Sequence, residues 1–201
     1  PLKANYIFYR AFQPFIFCCR FMGNSNGVTL NKGSFRVAFT GPECSGKTTL
    51  SLWCAKTFHL PWIPEQARSY LTGKTEYQRE DLWRIGALQF HENQAQSPCI
   101  CDTELTVIRL WEEEKFGQIS STIHELSLQE SYTILFLCAP DIPWIYDPLR
   151  ENPHDRERLY VRYKEDLDKR GISYVELKGV LEDRKKTIEK HFHKHHIFVP
   201  Q

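Results

Sequence analysis

Five short, mostly apolar runs are spaced along the chain. The clearest one, 132–138, is uninterrupted and rich in β-branched residues, which predicts a strand that is buried on both faces. All five runs have the length of strands rather than helices. They lie at 35–40, 60–64, 98–101, 132–138 and 173–177.

Longer segments with a helical spacing of apolar residues separate these runs. In 76–96, for example, Leu82, Ile85 and Gln89 fall on one helical stripe. We predict a loop and helix over 65–71 and further helices at 48–56, 76–96, 104–116, 122–130, 156–170 and 180–193. Strands that alternate with helices indicate an α/β fold, with a parallel sheet that carries helices on both faces.

Length and composition fit one domain of an ordinary soluble protein. The chain has 201 residues, of which 41% are hydrophobic and 25% charged, and its net charge is +1. This balance argues against a general nucleic-acid binder, which usually presents a basic face. No apolar run reaches the ~18 residues that a membrane span needs. We therefore expect neither nucleic acid nor a membrane as a partner.

The seven cysteines indicate a reducing compartment. Their number is odd and no two are spaced as Cys-x-x-Cys, so neither a disulfide framework nor a zinc site is predicted. We expect reduced thiols and a cytoplasmic protein. The sequence leaves the oligomeric state open, a homo-oligomer included.

Residues 1–34 are predicted to form an N-terminal extension that precedes a folded domain at 35–195. Seven of the first 21 residues are aromatic, and no acidic residue precedes Glu43. Three interpretations compete: Met22 is the true start and 1–21 is non-native, the segment is an aromatic arm that docks on a partner, or it is a targeting peptide. The segment lacks the serine content and clean amphipathic period of a targeting peptide. We favour the first interpretation.

The stretch 41–48 fits the phosphate-binding loop pattern G-x-x-x-x-G-K-S/T, between a predicted strand and a predicted helix. Gly41 and Gly46 allow backbone conformations that a Cβ would forbid, so that successive N–H groups can cradle a β-phosphate. Lys47 is expected to reach the β- and γ-phosphate oxygens of ATP, and the Thr48 hydroxyl to bind Mg²⁺. The expected phosphate-binding residues are Gly41, Glu43, Cys44, Ser45, Gly46, Lys47, Thr48 and Thr49.

Two carboxylates follow predicted strands, at the edge of a parallel sheet where ligands bind. Asp102 ends the third strand and can hold Mg²⁺ or touch a substrate hydroxyl. The alternative is that it caps the helix that follows. Glu65 ends the second strand and can take the proton from an attacking hydroxyl, while Arg68, three residues on, can pair with Glu65 or hold a substrate phosphate. The alternative for this pair is a surface ion pair.

Arginines cluster after the fourth strand, around a stretch with the composition of a mobile lid. Arg150 and Arg156 are the candidates to neutralise charge on a transferring phosphoryl group. The alternative, a solvated helix face, fits Arg162 better. Trp144 and Tyr146 stand just before the lid and can stack on a heterocycle or pack under the loop.

Taken together, these blocks resemble a known family. The resemblance rests on the phosphate loop, Pro64-Glu65-x-Ala67-Arg68, Gln89, Cys101-Asp102-Thr103, and the stretch from Pro140-Asp141-Ile142-Pro143-Trp144 to Arg150. The chain is similar over about residues 35–190 to the ribosylnicotinamide kinase domain of bifunctional NadR-type proteins of NAD biosynthesis, a P-loop, AAA-like ATPase domain. The phosphate loop alone is unspecific, whereas the Pro-Glu-x-Ala-Arg and Asp-Ile-Pro-Trp blocks are much more specific.

The resemblance implies a three-layer P-loop kinase-like fold with a five-stranded parallel sheet of order 2-3-1-4-5. It also implies transfer of the ATP γ-phosphate to the 5′-hydroxyl of nicotinamide riboside, a small-molecule nucleoside, with ATP and Mg²⁺ as the cofactors. On this basis Lys47 and Thr48 hold ATP and Mg²⁺, and Asp102 and Glu65 serve hydroxyl activation and ribose binding. Arg150 and Arg156 belong to the lid, and Trp144 contacts the nicotinamide ring.

Two departures from the family pattern bear on this expectation. The family often carries an adenylyltransferase domain before this one, and the 34 residues before the first strand leave no room for it, so we expect that activity to be absent. Asp147-Pro148 stands where the family has Asp followed by Gly, which alters the acceptor side.

Two alternative functions remain. The protein is a stand-alone ATPase or nucleotide switch that acts on a protein partner, or it is a kinase for another nucleoside.

Overall fold

A computed structural model describes residues 35–145 and 154–197 of the chain. Its strands are β1 (Arg36–Thr40), β2 (Trp62–Ile63), β3 (Cys99–Cys101), β4 (Ile134–Cys138) and β5 (Val175–Leu177). Its helices are α1 (Lys47–Thr57), α2 (Gln66–Leu71), α3 (Arg79–Ala95), α4 (Leu105–Phe116), α5 (Ser121–Gln129), α6 (Arg156–Lys169) and α7 (Leu181–Lys194).

The five strands form one parallel sheet in the order β2-β3-β1-β4-β5, which confirms the predicted strand order. Side chains of β1 alternate between the two faces, as the period of two requires. Val37 and Phe39 pack with residues of α1 and α7 on one face. Ala38 packs with residues of α4 and α6 on the other. The sheet is therefore covered by helices on both sides, as predicted.

Most predicted boundaries lie within a few residues of the observed ones, and α3 shows what sets the difference. The sequence pattern placed its start at 76, but the helix begins at Arg79. Gln78 and Asp81 form a capping box there, in which the Gln78 N–H donates to Asp81 Oδ2 at 2.9 Å. The cap supplies partners for N–H groups of the first turn, so it fixes the start more sharply than the apolar stripe does.

The described cysteines are buried free thiols, Cys44, Cys54, Cys99, Cys101 and Cys138. Within residues 35–145 and 154–197, no helix has both the length and the apolar character needed to cross a membrane.

A polar cluster with one unusual carboxyl lies between the end of α5 and the start of β4. Glu130 accepts hydrogen bonds from the Leu105 N–H at 2.9 Å and from the Tyr132 hydroxyl at 2.6 Å. Burial of the carboxyl and the nearby charge of Glu104 raise the pKa of Glu130 to about 8. Glu130 therefore exchanges its proton near neutral to mildly alkaline pH, well above the pH at which an ordinary carboxylic acid does so.

This cluster makes stability depend on pH. Because the folded pKa of Glu130 lies above its ordinary value of 4.5, the stabilising effect of its proton is complete below that value and is lost as the pH rises through about 8. Glu130→Gln keeps a neutral group in place, so its melting temperature should exceed that of the wild type at pH 8.5 and match it more closely at pH 5. Thermal unfolding across this range checks the prediction. Glu125→Gln, at an exposed position of α5, is the control. Equal pH dependence in the wild type and Glu130→Gln would contradict it.

Candidate functional site

The loop between β1 and α1 has the backbone geometry that its glycines allow. Gly41 has φ +131°, and a Cβ built there would lie 2.5 Å from the Cys138 carbonyl oxygen, so only glycine fits this close approach to β4. Gly46 has φ +86° immediately before α1. The loop therefore ends at the N-terminus of α1, where N–H groups without an intrahelical partner favour an anion.

The polar side chains of this loop suit a phosphate group. Lys47 Nζ donates to the carbonyl oxygens of Gly41 at 2.8 Å and Pro42 at 2.9 Å, which holds the ammonium group over the loop. The Ser45 hydroxyl is buried and has no hydrogen-bond partner among the described residues. A buried hydroxyl without a partner is costly, and a phosphate oxygen would satisfy it. These residues fit the phosphates of ATP. Of the other predicted phosphate-binding residues, Glu43, Cys44, Thr48 and Thr49 also line the cavity at this loop.

The structure brings Asp102 and Thr48 together. Asp102 follows β3, is only 2% exposed, and accepts hydrogen bonds from the Thr48 hydroxyl and the Ser51 hydroxyl, both at 2.9 Å. Burial raises the pKa of Asp102 above its ordinary value and the charge of Glu65 adds to this rise, while the two hydroxyls and Lys47 oppose it. A carboxylate and a threonine hydroxyl side by side are the oxygen ligands that Mg²⁺ prefers, so these residues fit the ion.

The helix cap that follows β3 is a different residue. Glu104 is the N-cap of α4, and its side chain accepts the Thr106 N–H at 2.8 Å. The capping role considered for Asp102 therefore belongs to Glu104. Asp102 is left to interact with the phosphate-binding loop and α1.

Glu65 and Arg68 form the expected pair at the start of α2. Arg68 Nε lies 3.2 Å from Glu65 Oε2, and the exposed fractions of the two side chains are 45% and 20%. Both residues also line the cavity that contains the phosphate-binding loop. The pair is thus at the surface of a cavity rather than on an open helix face.

This cavity has a volume of about 420 Å³ and joins the phosphate-binding loop to the opposite wall. Besides the loop, Glu65 and Arg68, its lining comes from α4 and α6: Val107, Leu110, Trp111, Glu114, Lys115, Leu159 and Tyr163. Its size and mixed apolar and charged lining suit a small organic molecule beside a triphosphate.

Of the predicted lid arginines, Arg156 reaches the loop. Its Nη1 donates to the carbonyl oxygens of Cys44 at 3.2 Å and Ile142 at 3.0 Å, and its guanidinium carbon lies 5.5 Å from the centre of the Trp144 ring. By contrast, Arg158 and Arg162 pair with the α4 carboxylates Glu114 and Glu113 at 2.7 and 2.6 Å. Tyr146, Asp147, Pro148 and Arg150 lie outside the described residues.

Arg184 on α7 braces the phosphate-binding loop, and the sequence reasoning missed it. It is 2% exposed and donates to the carbonyl oxygens of Ser45 at 2.7 Å, Ala139 at 3.0 Å and Gly179 at 2.9 Å, besides an ion pair with Asp141. The sequence did carry a signal that Arg184 is buried. Arg184 stands four residues before Ile188 and eight before Phe192, so all three lie on the buried stripe of α7.

Trp111 on α4 is the second missed residue. In the sequence, Trp111 falls on one face of the helix predicted over 104–116 together with Leu105 and Ile108, which is typical of a packed helix face, yet it lines the cavity. Its Nε1–H donates to the Tyr77 hydroxyl at 2.7 Å, and the two rings meet edge to face at 5.2 Å. The indole is therefore held in one orientation at the cavity wall.

Comparison with solved structures places the chain among P-loop kinase folds. A NadR protein in complex with nicotinamide riboside (NR) matches with a TM-score of 0.70 at 21% identity, over 84% of this chain and 52% of that chain. A NadR protein in complex with NAD and AMP-PNP matches with 0.66 at 19%, over 84% and 51%. Thymidylate kinase from Ehrlichia chaffeensis matches with 0.57 at 15%, over 79% and 99%.

The chain thus spans about half the length of the NadR chains that it matches, and at these identities the likeness concerns the fold. No curated protein matches the chain in sequence. Residues 36–184, which run from β1 to Arg184, match a protein family described as AAA domain. The chain therefore belongs to this AAA domain family.

Proposed function

We propose that the protein is an ATP-dependent kinase that phosphorylates the 5′-hydroxyl of nicotinamide riboside and gives nicotinamide mononucleotide. The observation that carries this proposal is the cavity that joins the phosphate-binding loop to Glu65 and Arg68. A protein that only hydrolyses ATP needs no second compartment beside the triphosphate, whereas a kinase needs one for its acceptor. The fold shared with a NadR protein bound to nicotinamide riboside supports this choice of acceptor.

The phosphate half of the site would hold ATP and Mg²⁺. The loop amides, Lys47 and the Ser45 hydroxyl would bind the phosphates, and Thr48 with Asp102 would hold the ion. Mg²⁺, when bound, neutralises charge on the β- and γ-phosphate oxygens. Arg156, already hydrogen-bonded to the loop, would add positive charge beside the transferring phosphoryl group. The same role for Arg150 remains a prediction from the sequence.

Between the two acceptor-side carboxylates, Glu65 is the better candidate for the base. Both oxygens of Asp102 accept hydroxyl hydrogen bonds next to Thr48, an arrangement that suits a metal ligand. Glu65 lines the cavity and is partly exposed, so an acceptor hydroxyl can reach it. Arg68, 3.2 Å away, would orient the carboxylate.

The acceptor ring has two candidate contacts. Trp111 stands on the cavity wall, with its orientation fixed by Tyr77. Trp144, the residue that the resemblance suggested, lies beside Arg156, and Tyr146 remains a sequence-based candidate. We propose Trp111 as the main aromatic wall for the acceptor ring, and Trp144 as a residue that supports Arg156 and the lid.

Paired substitutions separate these two tryptophans. Trp111→Ala removes a preoriented aromatic surface, so the KM for the acceptor should rise about 10-fold while the KM for ATP changes little. Trp144→Ala should change the acceptor KM less and reduce kcat instead, because it disturbs Arg156. Steady-state kinetics with each substrate varied in turn checks both. The opposite ranking of acceptor KM would assign the ring contact to Trp144.

A nucleoside panel tests the proposed function. The protein is incubated with ATP, Mg²⁺ and one nucleoside at a time, and ADP is measured. ADP formation that requires nicotinamide riboside supports the proposal, and formation with another nucleoside would make the protein a kinase of that acceptor. Hydrolysis that needs no acceptor and responds to a protein partner would replace the proposal with an ATPase or switch.

A further inference from the structure

Two side-chain amides lie one turn apart inside α3 and form a continuous hydrogen-bonded pair. Gln89 and Asn93 are both fully buried, and Gln89 Nε2 donates to Asn93 Oδ1 at 2.9 Å. Their remaining hydrogen-bonding atoms also have partners, which lie outside α3. Buried amides with every donor and acceptor used hold their surroundings in one arrangement.

Gln89 forms hydrogen bonds with the backbone of the segment that carries Glu65. Its Oε1 accepts the Gln66 N–H at 2.8 Å, and its Nε2 donates to the Pro64 carbonyl oxygen at 3.3 Å. These two groups belong to the residues on either side of Glu65. The sheet links this segment to the Asp102 segment through one bond near the site, from the Asp102 N–H to the Ile63 carbonyl oxygen at 2.9 Å, because β2 has two residues and pairs with β3 only.

Asn93 forms a hydrogen bond with the backbone of the segment that carries Asp102. Its Nδ2 donates to the carbonyl oxygen of Thr103, the residue after Asp102, at 2.9 Å. The same nitrogen donates to the Tyr132 hydroxyl at 2.9 Å, which in turn donates to Glu130. Through the pair, Gln89 is thus bonded to the Glu65 segment and Asn93 to the Asp102 segment.

We infer that Gln89 and Asn93 are positioning residues that fix the Glu65 segment relative to the Asp102 segment, and so the proposed base relative to the proposed metal ligand. This inference rests on the proposed function for its catalytic meaning, while its geometric content concerns the backbone beside the two carboxylates. Phosphoryl transfer requires its groups to be in place to within a fraction of an ångström, and a misplacement of 1 Å costs about 10²-fold in rate.

The kinetic test uses Gln89→Met, which keeps the size of the side chain and removes all three hydrogen bonds. The expected result is a fall in kcat of about 10- to 100-fold, with the KM for ATP changed less than about 2-fold, because the phosphate-binding loop is untouched. Ile123→Ala, a buried residue of α5 in the core cluster next to α3, is the matched control: it opens a cavity and removes no hydrogen bond of the pair. An equal loss of kcat in both variants, or no loss in Gln89→Met, would overturn the inference.

Gln89→Glu provides a second variant that stays closer to the native side chain. An ionised glutamate cannot donate to Pro64 or Asn93, whereas its protonated form recovers one donor. The kcat of this variant relative to the wild type should therefore rise as the pH is lowered from 8 to 6. A flat ratio would argue against positioning by these hydrogen bonds.

Amide hydrogen exchange of Gln66, followed by NMR without substrate, separates this inference from the proposed function. The Gln66 N–H should be protected in the wild type and in Ile123→Ala, and should exchange at least about 10-fold faster in Gln89→Met. Unchanged protection would overturn the inference even if the protein phosphorylates nicotinamide riboside. Lost protection would support it even if the acceptor proves to be another nucleoside.

Discussion

Lys47→Ala is expected to lower kcat for phosphoryl transfer by on the order of 10³-fold, because it removes a positive charge aimed at the developing charge of the transition state. The lysine ammonium lies over the phosphate-binding loop, held by the Gly41 and Pro42 carbonyl oxygens. The other ammonium group that lines the described cavity, that of Lys115, belongs to α4 and not to the loop. Steady-state ADP formation measures the loss.

The fold should survive this substitution, which makes the rate loss interpretable. Lys47 stands at the first position of α1, where alanine is a good helix former, and only two hydrogen bonds to loop carbonyls are removed. Lys56→Ala, at an exposed position of the same helix, is the matched control and should keep full activity. Activity of Lys47→Ala close to that of Lys56→Ala would contradict the assignment of the loop as the phosphate site.

Arg184→Leu is expected to destabilise the fold by about 1–3 kcal/mol, because it leaves buried carbonyl oxygens without their donor, while the ion pair with Asp141, which is 37% exposed, adds little. The substitution leaves Asp141 without its main partner. It also removes the donors that satisfy the carbonyl oxygens of Ser45, Ala139 and Gly179. These groups belong to three different segments, so the phosphate-binding loop should loosen together with the end of β4 and the turn before α7.

Two measurements check this expectation. Urea unfolding gives the change in free energy, with Lys186→Ala, a 77% exposed neighbour on α7, as the control that should stay within about 0.5 kcal/mol of the wild type. Binding of an ATP analogue to the folded variant should weaken, because Ser45 loses its brace. A stability equal to that of the control would show that Arg184 does not brace the loop.

The parts of the structure that follow local sequence rules could be predicted. The phosphate-binding loop is such a part, since its two glycines, its lysine and its position between a strand and a helix are fixed by nearby residues. The sheet order came from the family resemblance and is confirmed. The closeness of Thr48 and Asp102 follows from this order, because β3 lies next to β1 and both strands end at the same edge.

The parts that depend on distant pairings could not be predicted in the same way. Arg184 and Ser45 are 139 residues apart, and a charged residue inside a polar stretch looks solvated until the fold buries it. Gln89 was placed on a buried stripe, but its partners at Pro64 and Gln66 are set by tertiary packing. The role of Trp111 was hidden for a related reason, since an apolar helical stripe predicts packing equally well against a core or against a cavity.

The central claim is the proposed function, that a phosphoryl group passes from ATP to nicotinamide riboside in the cavity at the phosphate-binding loop. The most direct test uses ATP labelled at the γ-phosphate together with nicotinamide riboside, and identifies the labelled product by mass. The account predicts that the label appears in nicotinamide mononucleotide in an amount equal to the ADP formed, and that Lys47→Ala slows this transfer by on the order of 10³-fold. Label found only in inorganic phosphate, with the same amount of ADP whether or not nicotinamide riboside is present, would contradict it.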